Sequence, residues 1–170
     1  MPCFKQYLLI FLMLPVCAFA QDTGTLKKQA DRFAKASFNG DYKTVIDLTY
    51  PQMVAYSGGR DTLQKLITDR IAALRTQGVM TFDGSIGSPG PFLKAGSQIH
   101  CLVPETLILK IFNGRYVTST YLLAISNDNG SNWTFMDVGK MPPDILLKIV
   151  PNYNTDLRIP LAGKPLFFAD

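Results

Sequence analysis

The sequence predicts an α+β fold in which N-terminal helices pack on a curved antiparallel sheet, a cone-shaped roll with an irregular C-terminal extension. Apolar residues recur at helical spacing in the first half of the chain, and long β-rich runs separated by turn residues fill the second half. The length of 170 residues suits one domain of this kind. No internal repeat or low-complexity tract interrupts the pattern.

The N-terminus is typical of a secretory signal peptide. Lys5 supplies a positive charge, residues 7–14 form an uncharged apolar run, and the Ala-Phe-Ala of residues 18–20 has the small residues that signal peptidase requires. The stretch from 7 to 20 is too short to span a bilayer, which takes about 20 residues. We therefore expect cleavage after Ala20, export to the periplasm or the cell exterior, and no stable membrane insertion after cleavage.

Cysteine and charge content narrow the chemistry of the mature chain. Cys3 and Cys17 lie in the signal segment, so Cys101 remains alone and no internal disulfide can form. A lipid anchor on Cys17 is disfavoured because the preceding Val16 is bulky. Removing Lys5 lowers the formal net charge from +4 to +3, and the remaining basic residues are spread along the chain. This distribution does not favour nucleic-acid binding.

The first two helices are predicted directly after the signal segment. Residues 25–38 carry one apolar stripe at helical spacing, and Asn39-Gly40 ends it. Asp41 is a suitable N-cap for a second, short helix through Leu48.

A short strand and a long helix are expected next. The residue before a proline avoids the helical region, so Tyr50-Pro51 predicts an extended exit and a strand-like piece over residues 52–56. A turn follows at residues 57–59. Residues 61–77 then form a long helix with leucine and isoleucine on one face.

The second half of the chain predicts antiparallel strands over residues 79–86, 98–112, 115–125 and 133–138. Pro104 marks a bulge or an edge within the longest run. Asn113-Gly114 predicts a hairpin with a type I′ turn. Residues 21–140 thus form the roll, and residues 141–170 a short helix and an irregular strap packed on the same domain.

The order of helix, short helix, short strand, long helix and long strands resembles the nuclear transport factor two-like superfamily. This superfamily of cystatin-like α+β rolls includes ketosteroid isomerase and polyketide cyclases. The features that carry the resemblance are Asn39-Gly40-Asp41, Tyr50-Pro51 and the Ser-Gly-Gly-Arg-Asp of residues 57–61. The resemblance covers residues 24–138 and implies helices on the concave side of the sheet, with a pocket at the open end of the cone.

A second resemblance is local. Residues 126–133, Ser-Asn-Asp-Asn-Gly-Ser-Asn-Trp, are similar to the Asp-box of sialidase-like propellers. In those proteins the aspartate binds the backbone of its own hairpin, the glycine has positive φ and the tryptophan packs beneath. A propeller needs several copies and this chain has one, so we interpret the segment as a self-stabilised hairpin.

The inventory of catalytic residue types is small. His100 is the only histidine and Glu105 the only glutamate, and no phosphate-binding or nucleophile-elbow motif is present. His100 and Cys101 are adjacent on a strand and point to opposite faces, so they do not form a base–nucleophile pair. We expect no metal site and no cofactor, and whether the chain is an enzyme stays open.

Four residues are candidates for ligand binding. Tyr56 and Tyr121 offer hydroxyl groups at the tips of apolar side chains, and His100 and Asp137 are nearby groups that can titrate. Asp83 is a further carboxylate available to an enzyme of the ketosteroid isomerase type.

Three functions remain open from the sequence. The first is a non-catalytic exported domain that binds a small apolar ligand or a partner in the cell envelope. The second is a cofactor-free lyase or isomerase of the ketosteroid isomerase type, which needs a carboxylate base and an oxyanion donor in one pocket. The third is a structural module that forms a homodimer through its sheet.

Overall fold

The computed structural model describes residues 23–170. The predicted signal peptide, residues 1–20, lies outside the described residues and stays a prediction. The elements in chain order are α1 Thr23–Asn39, α2 Tyr42–Leu48, α3 Pro51–Tyr56, α4 Arg60–Thr76, β1 Thr81–Ile86, β2 Leu93–Ala95, β3 Gln98–Ile111, β4 Gly114–Ser126, β5 Thr134–Asp137, α5 Pro143–Ile149 and β6 Leu166–Ala169.

The strands form one antiparallel sheet, strongly curled into a half-barrel, with the N-terminal helices packed against it. The order is β1-β3-β4-β5, with β2 beside the start of β3 and β6 beside the start of β4. The long hairpin of β3 and β4 is therefore the centre of the sheet. The predicted α+β class with a curved antiparallel sheet is confirmed.

Each face of the sheet has its own apolar core, because successive side chains of a strand point to opposite sides. The face that we call the α1 face includes Cys101, Val103 and Phe135, which pack with Leu26 and Ala30 of α1. The opposite face, which we call the α5 face, is covered by α5 and by the chain that follows it. Its buried residues include Leu102, Leu123, Met136, Leu146, Ile149 and Leu157.

The structure corrects the prediction for residues 52–56, which form α3 and not a strand. Tyr50 has the extended conformation that a residue before proline favours, with φ −54° and ψ 126°. Pro51 then occupies the first helical position, where its missing N–H removes no helical hydrogen bond. The Tyr50-Pro51 pair thus begins a helix here.

The hairpin at Asn113-Gly114 is present, but its turn lies one residue earlier than predicted. Ile111 pairs with Gly114, so Phe112 and Asn113 are the two loop residues. Among the described residues other than glycine, only Asn129 has a positive φ. A type I′ turn needs positive φ at both loop positions, so that part of the prediction is wrong.

Pro104 lies at a local edge, one of its two predicted roles. The register between β3 and β4 continues through Pro104 without an extra residue, which excludes a bulge. On the other side of β3, β1 pairs with residues 105–110 and β2 pairs with residues 98–100. Pro104 lies in the interval between these two pairings. The loop between them covers the gap, and the Gly87 N–H donates to the Pro104 carbonyl at 2.8 Å.

The C-terminal strap is irregular only in part. Residues 166–169 form β6 and pair with residues 114–117 of β4, which the three prolines of this region did not indicate. Leu166, Phe167 and Phe168 remain exposed on this edge strand. The short strand β2 was also not expected.

The Asp-box-like hairpin has the predicted self-stabilised structure. Asp128 Oδ1 accepts a hydrogen bond from the Asn132 N–H at 2.8 Å, and the Ser126 hydroxyl donates to the same oxygen at 2.9 Å. Gly130 has φ 92°. Trp133 is 2% exposed and donates its indole N–H to the Gly130 carbonyl at 2.9 Å.

Candidate functional site

A cavity of about 330 Å³ lies between the α1 face of the sheet and the four N-terminal helices. Its size falls at the lower end of the range for small-molecule sites, about 300–1,000 Å³. The lining is mainly apolar and includes Phe33, Phe38, Val45, Leu63, Ile67 and Phe135.

Glu105 reaches this cavity from the middle of β3. It pairs with Thr120 of β4 and follows Cys101 and Val103 on the α1 face at a spacing of two residues. The residue is only 6% exposed. Within residues 23–170, its carboxyl group makes no hydrogen bond and no ion pair. Glu105 is therefore a buried acid whose polar atoms have only the cavity to meet.

The surroundings of Glu105 favour its neutral form. Burial, and to a smaller extent the negative charge of Asp137, raise the pKa of the Glu105 carboxyl to about 7. Both effects act against ionisation, because a buried carboxylate loses its hydration and a like charge repels it. At neutral pH the group is consequently divided between its protonated and ionised forms.

Asp137 faces the same cavity from the end of β5 and is held by two hydrogen bonds to one oxygen. Its Oδ1 accepts from the Thr120 hydroxyl at 2.7 Å and from the Gly139 N–H at 2.9 Å. Asp137 is exposed at the mouth of the cavity, whereas Glu105 is buried inside it. A Cβ at position 139 would lie 2.1 Å from the Thr120 Oγ1, so any other residue there would displace the hydroxyl that binds Asp137.

The hydroxyl groups that line the cavity use their protons elsewhere. Ser37 donates to the Phe33 carbonyl at 3.0 Å, and Thr49 donates to the Val45 carbonyl at 2.7 Å. Both bonds go to the carbonyl four residues earlier in the chain, so each oxygen keeps only acceptor capacity. The polar groups that the cavity offers to a ligand are thus two carboxyl groups and two oxygen acceptors.

Of the four predicted ligand-binding residues, the structure places Asp137 at this cavity and the others elsewhere. Tyr56 ends α3 and is 52% exposed. Tyr121 packs against the apolar cluster of the α5 face. The fourth, His100, is also directed to that face, so the structure does not bring these residues together. Their predicted role in ligand binding stays a prediction.

His100 is buried beneath the chain that follows α5. Its Nε2 lies 3.1 Å from Gln98 Oε1, and its ring stacks on Tyr153 with centroids 6.1 Å apart. Its Nδ1 has no hydrogen-bond partner among residues 23–170. Burial lowers the pKa of the His100 imidazole. Its burial and its stacking on Tyr153 make His100 part of the core of the α5 face.

The remaining titratable candidates do not form a second site. Cys101 is fully buried as predicted, and burial raises the pKa of its thiol to about 12, which disfavours the reactive thiolate. Asp83 is exposed, and its Oδ1 accepts from the Gly84 N–H at 2.7 Å.

Within residues 23–170 there is no cluster of three metal-ligating side chains and no helix that could cross a membrane.

Two other depressions lack a buried carboxyl group. One of about 400 Å³ lies between α5 and residues 153–161, and it is lined by apolar residues and Arg158. The other, of about 770 Å³, runs along the exposed side of α1 and is lined mostly by lysines and other surface side chains. The buried acid, and not the degree of enclosure, distinguishes the cavity at Glu105 from these two.

Glu105 is the site residue that the sequence prediction missed. Its signal was present: in residues 101–107, apolar Cys101, Val103 and Leu107 alternate at a period of two with Glu105 among them. A lone glutamate on the buried face of a predicted strand is unusual, because acids are almost never buried without a partner. The position of Glu105 among these buried apolar residues is the observation that indicates a functional group.

No family model matches this chain, and neither characterised proteins nor solved structures give a significant match. The assignment of a function therefore depends on the geometry of the cavity.

Proposed function

We propose that this protein binds a small, mainly apolar molecule in the cavity between α1–α4 and the sheet, with the polar end of the ligand at Glu105 and Asp137. The observation that carries the proposal is the Glu105 carboxyl group, 6% exposed and without a partner among residues 23–170, in an otherwise apolar cavity. Burial and the negative charge of Asp137 both disfavour a carboxylate at this position, so its presence is better explained by a ligand than by folding.

The apolar lining supplies the driving force for binding. Removing apolar surface from water contributes about 25 cal/mol per Å², and aromatic side chains provide much of the surface here. Phe33 and Phe135 pack against each other with ring centroids 5.4 Å apart, which fixes one wall of the cavity. The two carboxyl groups then orient the ligand, as the few polar groups of small-molecule sites commonly do.

A thermal-shift screen of small apolar compounds tests this proposal. A ligand present at 100 times its Kd should stabilise the protein by about 2.7 kcal/mol. The Ile67→Phe variant, which narrows the cavity, should lose the shift. Its matched control is Ile71→Phe, because Ile71 lies one turn along α4 and outside this cavity. The absence of any shift, or shifts of equal size in both variants, would contradict the proposal.

A second candidate function is cofactor-free acid–base catalysis by the same carboxyl pair. The observation that favours it is the pKa of Glu105, which burial and Asp137 raise to about 7, where a carboxyl group can both accept and donate a proton. Turnover of an unsaturated ketone that is lost in Glu105→Gln and Asp137→Asn, and retained in the exposed control Asp144→Asn, would support catalysis. Retention in all three variants would exclude it.

A further inference from the structure

The polar end of the cavity presents acceptors and almost no donors. The Asp137 carboxylate donates nothing, and the Ser37 and Thr49 hydroxyls donate to the backbone carbonyls four residues earlier in the chain. Glu105 is the one group that can change, since it donates when protonated and only accepts when ionised. With Glu105 ionised, the whole polar end is complementary to a group that only donates.

The charge of the cavity is also of one sign. Glu105 and Asp137 are the charged residues among those that line it, and α1, α2, α3 and α4 contribute only uncharged side chains. The ion pairs formed within residues 23–170 involve neither acid. Asp137 is the charged group that acts on the Glu105 carboxyl. No positive side chain of the described chain thus balances the pair.

We propose that the ligand is a small apolar amine, which binds as the ammonium ion with its nitrogen between the Glu105 and Asp137 carboxylates. This inference rests on the proposed binding function and specifies its ligand. An ammonium group has three donors and no acceptor, so it matches an acceptor-only surface. Its charge is paired by the two carboxylates, and the aromatic walls are favourable surroundings for a cation.

The other two ligand classes fit less well. An anion would meet two acids of its own charge. A neutral ketone could accept a hydrogen bond from protonated Glu105, but it has no donor for the Asp137 carboxylate. These alternatives predict opposite pH dependence. A cation needs Glu105 ionised and binds better as pH rises, whereas a neutral acceptor needs Glu105 protonated and binds better as pH falls.

The test is isothermal titration calorimetry of the purified protein with phenethylamine, phenethyl alcohol and phenylacetate, which share one apolar body. We expect phenethylamine to bind more tightly than the other two, and about tenfold more tightly at pH 8 than at pH 6. Glu105→Gln should abolish this pH dependence. Asp137→Asn should weaken amine binding at both pH values, and the exposed control Asp156→Asn should leave it unchanged.

The outcomes separate the ligand class from the binding function. If phenethyl alcohol binds as tightly as the amine, or if affinity for the amine does not rise with pH, the amine assignment is wrong and the binding function stands. If none of the three compounds binds and the apolar screen also gives no shift, both proposals fail. Because the pH comparison uses the unaltered protein, the result does not depend on whether either variant folds.

Discussion

Glu105 and Asp137 face one cavity from two strands, β3 and β5, that are separated by β4. Glu105 pairs with Thr120 across β3 and β4, and the Thr120 hydroxyl donates to Asp137 at 2.7 Å. The two acids are therefore connected through one residue of the central strand. This arrangement places a negative charge beside a buried carboxyl group, which is unfavourable unless something else occupies the site.

The Glu105→Gln variant should be more stable than the unaltered protein at high pH. The pKa of Glu105 is about 7 in the folded state, against an ordinary value of 4.5, so the folded protein keeps a proton that the unfolded chain has already lost. Stability therefore falls as pH rises from about 4.5 to about 7. Glutamine stays neutral, so the variant should gain about 1–3 kcal/mol at pH 8 and little at pH 4. Urea denaturation at both pH values measures this, and a variant that is less stable at pH 8 would contradict it.

His100 should have the opposite effect on the pH dependence of stability. Burial lowers its pKa below the ordinary value of 6.5, so below that pH the unfolded chain binds a proton that the folded protein resists. Stability should consequently be lost as pH falls from about 6.5. His100→Phe, made together with Glu105→Gln to remove the opposing effect, should flatten the profile between pH 5 and 7. An unchanged slope relative to Glu105→Gln alone would show that His100 is not the group responsible.

The hairpin of residues 126–133 should tolerate substitution poorly. Asp128→Ala removes the acceptor of the Asn132 N–H and should cost about 1 kcal/mol. Trp133→Ala truncates a side chain that is 2% exposed and should cost about 3–5 kcal/mol. Asp144→Ala is a suitable control, because Asp144 is exposed and its ion pair within residues 23–170 is a long contact of 3.9 Å to Lys148. Denaturation midpoints equal to that of the control would exclude the self-stabilised hairpin.

Gly139→Ala should damage the polar end of the cavity through a steric clash. The new Cβ would lie 2.1 Å from the Thr120 Oγ1, so the hydroxyl that donates to Asp137 must move. Thr120→Ala removes that oxygen, and the double variant should therefore lose less stability than the sum of the two single variants. Additive losses in a double-mutant cycle measured by urea denaturation would show that the two positions do not interact.

The sequence indicated the fold better than the site, for physical reasons. Helical and alternating patterns report burial, and burial determines which elements pack together; the helix over residues 60–76 and the β3–β4 hairpin follow from them. Strand β6 was hidden because its pairing with β4 depends on where the chain returns, which local sequence does not encode.

The site depends on which face each residue occupies and on what the curl of the sheet leaves empty. Tyr121 and His100 have suitable chemistry but lie on the α5 face. Glu105 lies on the α1 face because it is two residues after Val103 in β3, and alternate residues of a strand point to the same side. The alternation of the sequence specifies which side of the strand a residue faces. It does not reveal that the helices leave a cavity above Glu105.

Titration of the Glu105 carboxyl group by nuclear magnetic resonance tests the central claim most directly. Glu105 is the only glutamate in the sequence, so selective carbon-13 labelling of glutamate gives one side-chain carboxyl signal. We expect a titration midpoint near pH 7 in the free protein, because burial and Asp137 raise the pKa to about 7. Saturating phenethylamine should lower that midpoint, since a bound cation stabilises the ionised carboxylate. A midpoint near the ordinary value of 4.5, unchanged by the amine, would contradict a buried and unpaired acid at a ligand site.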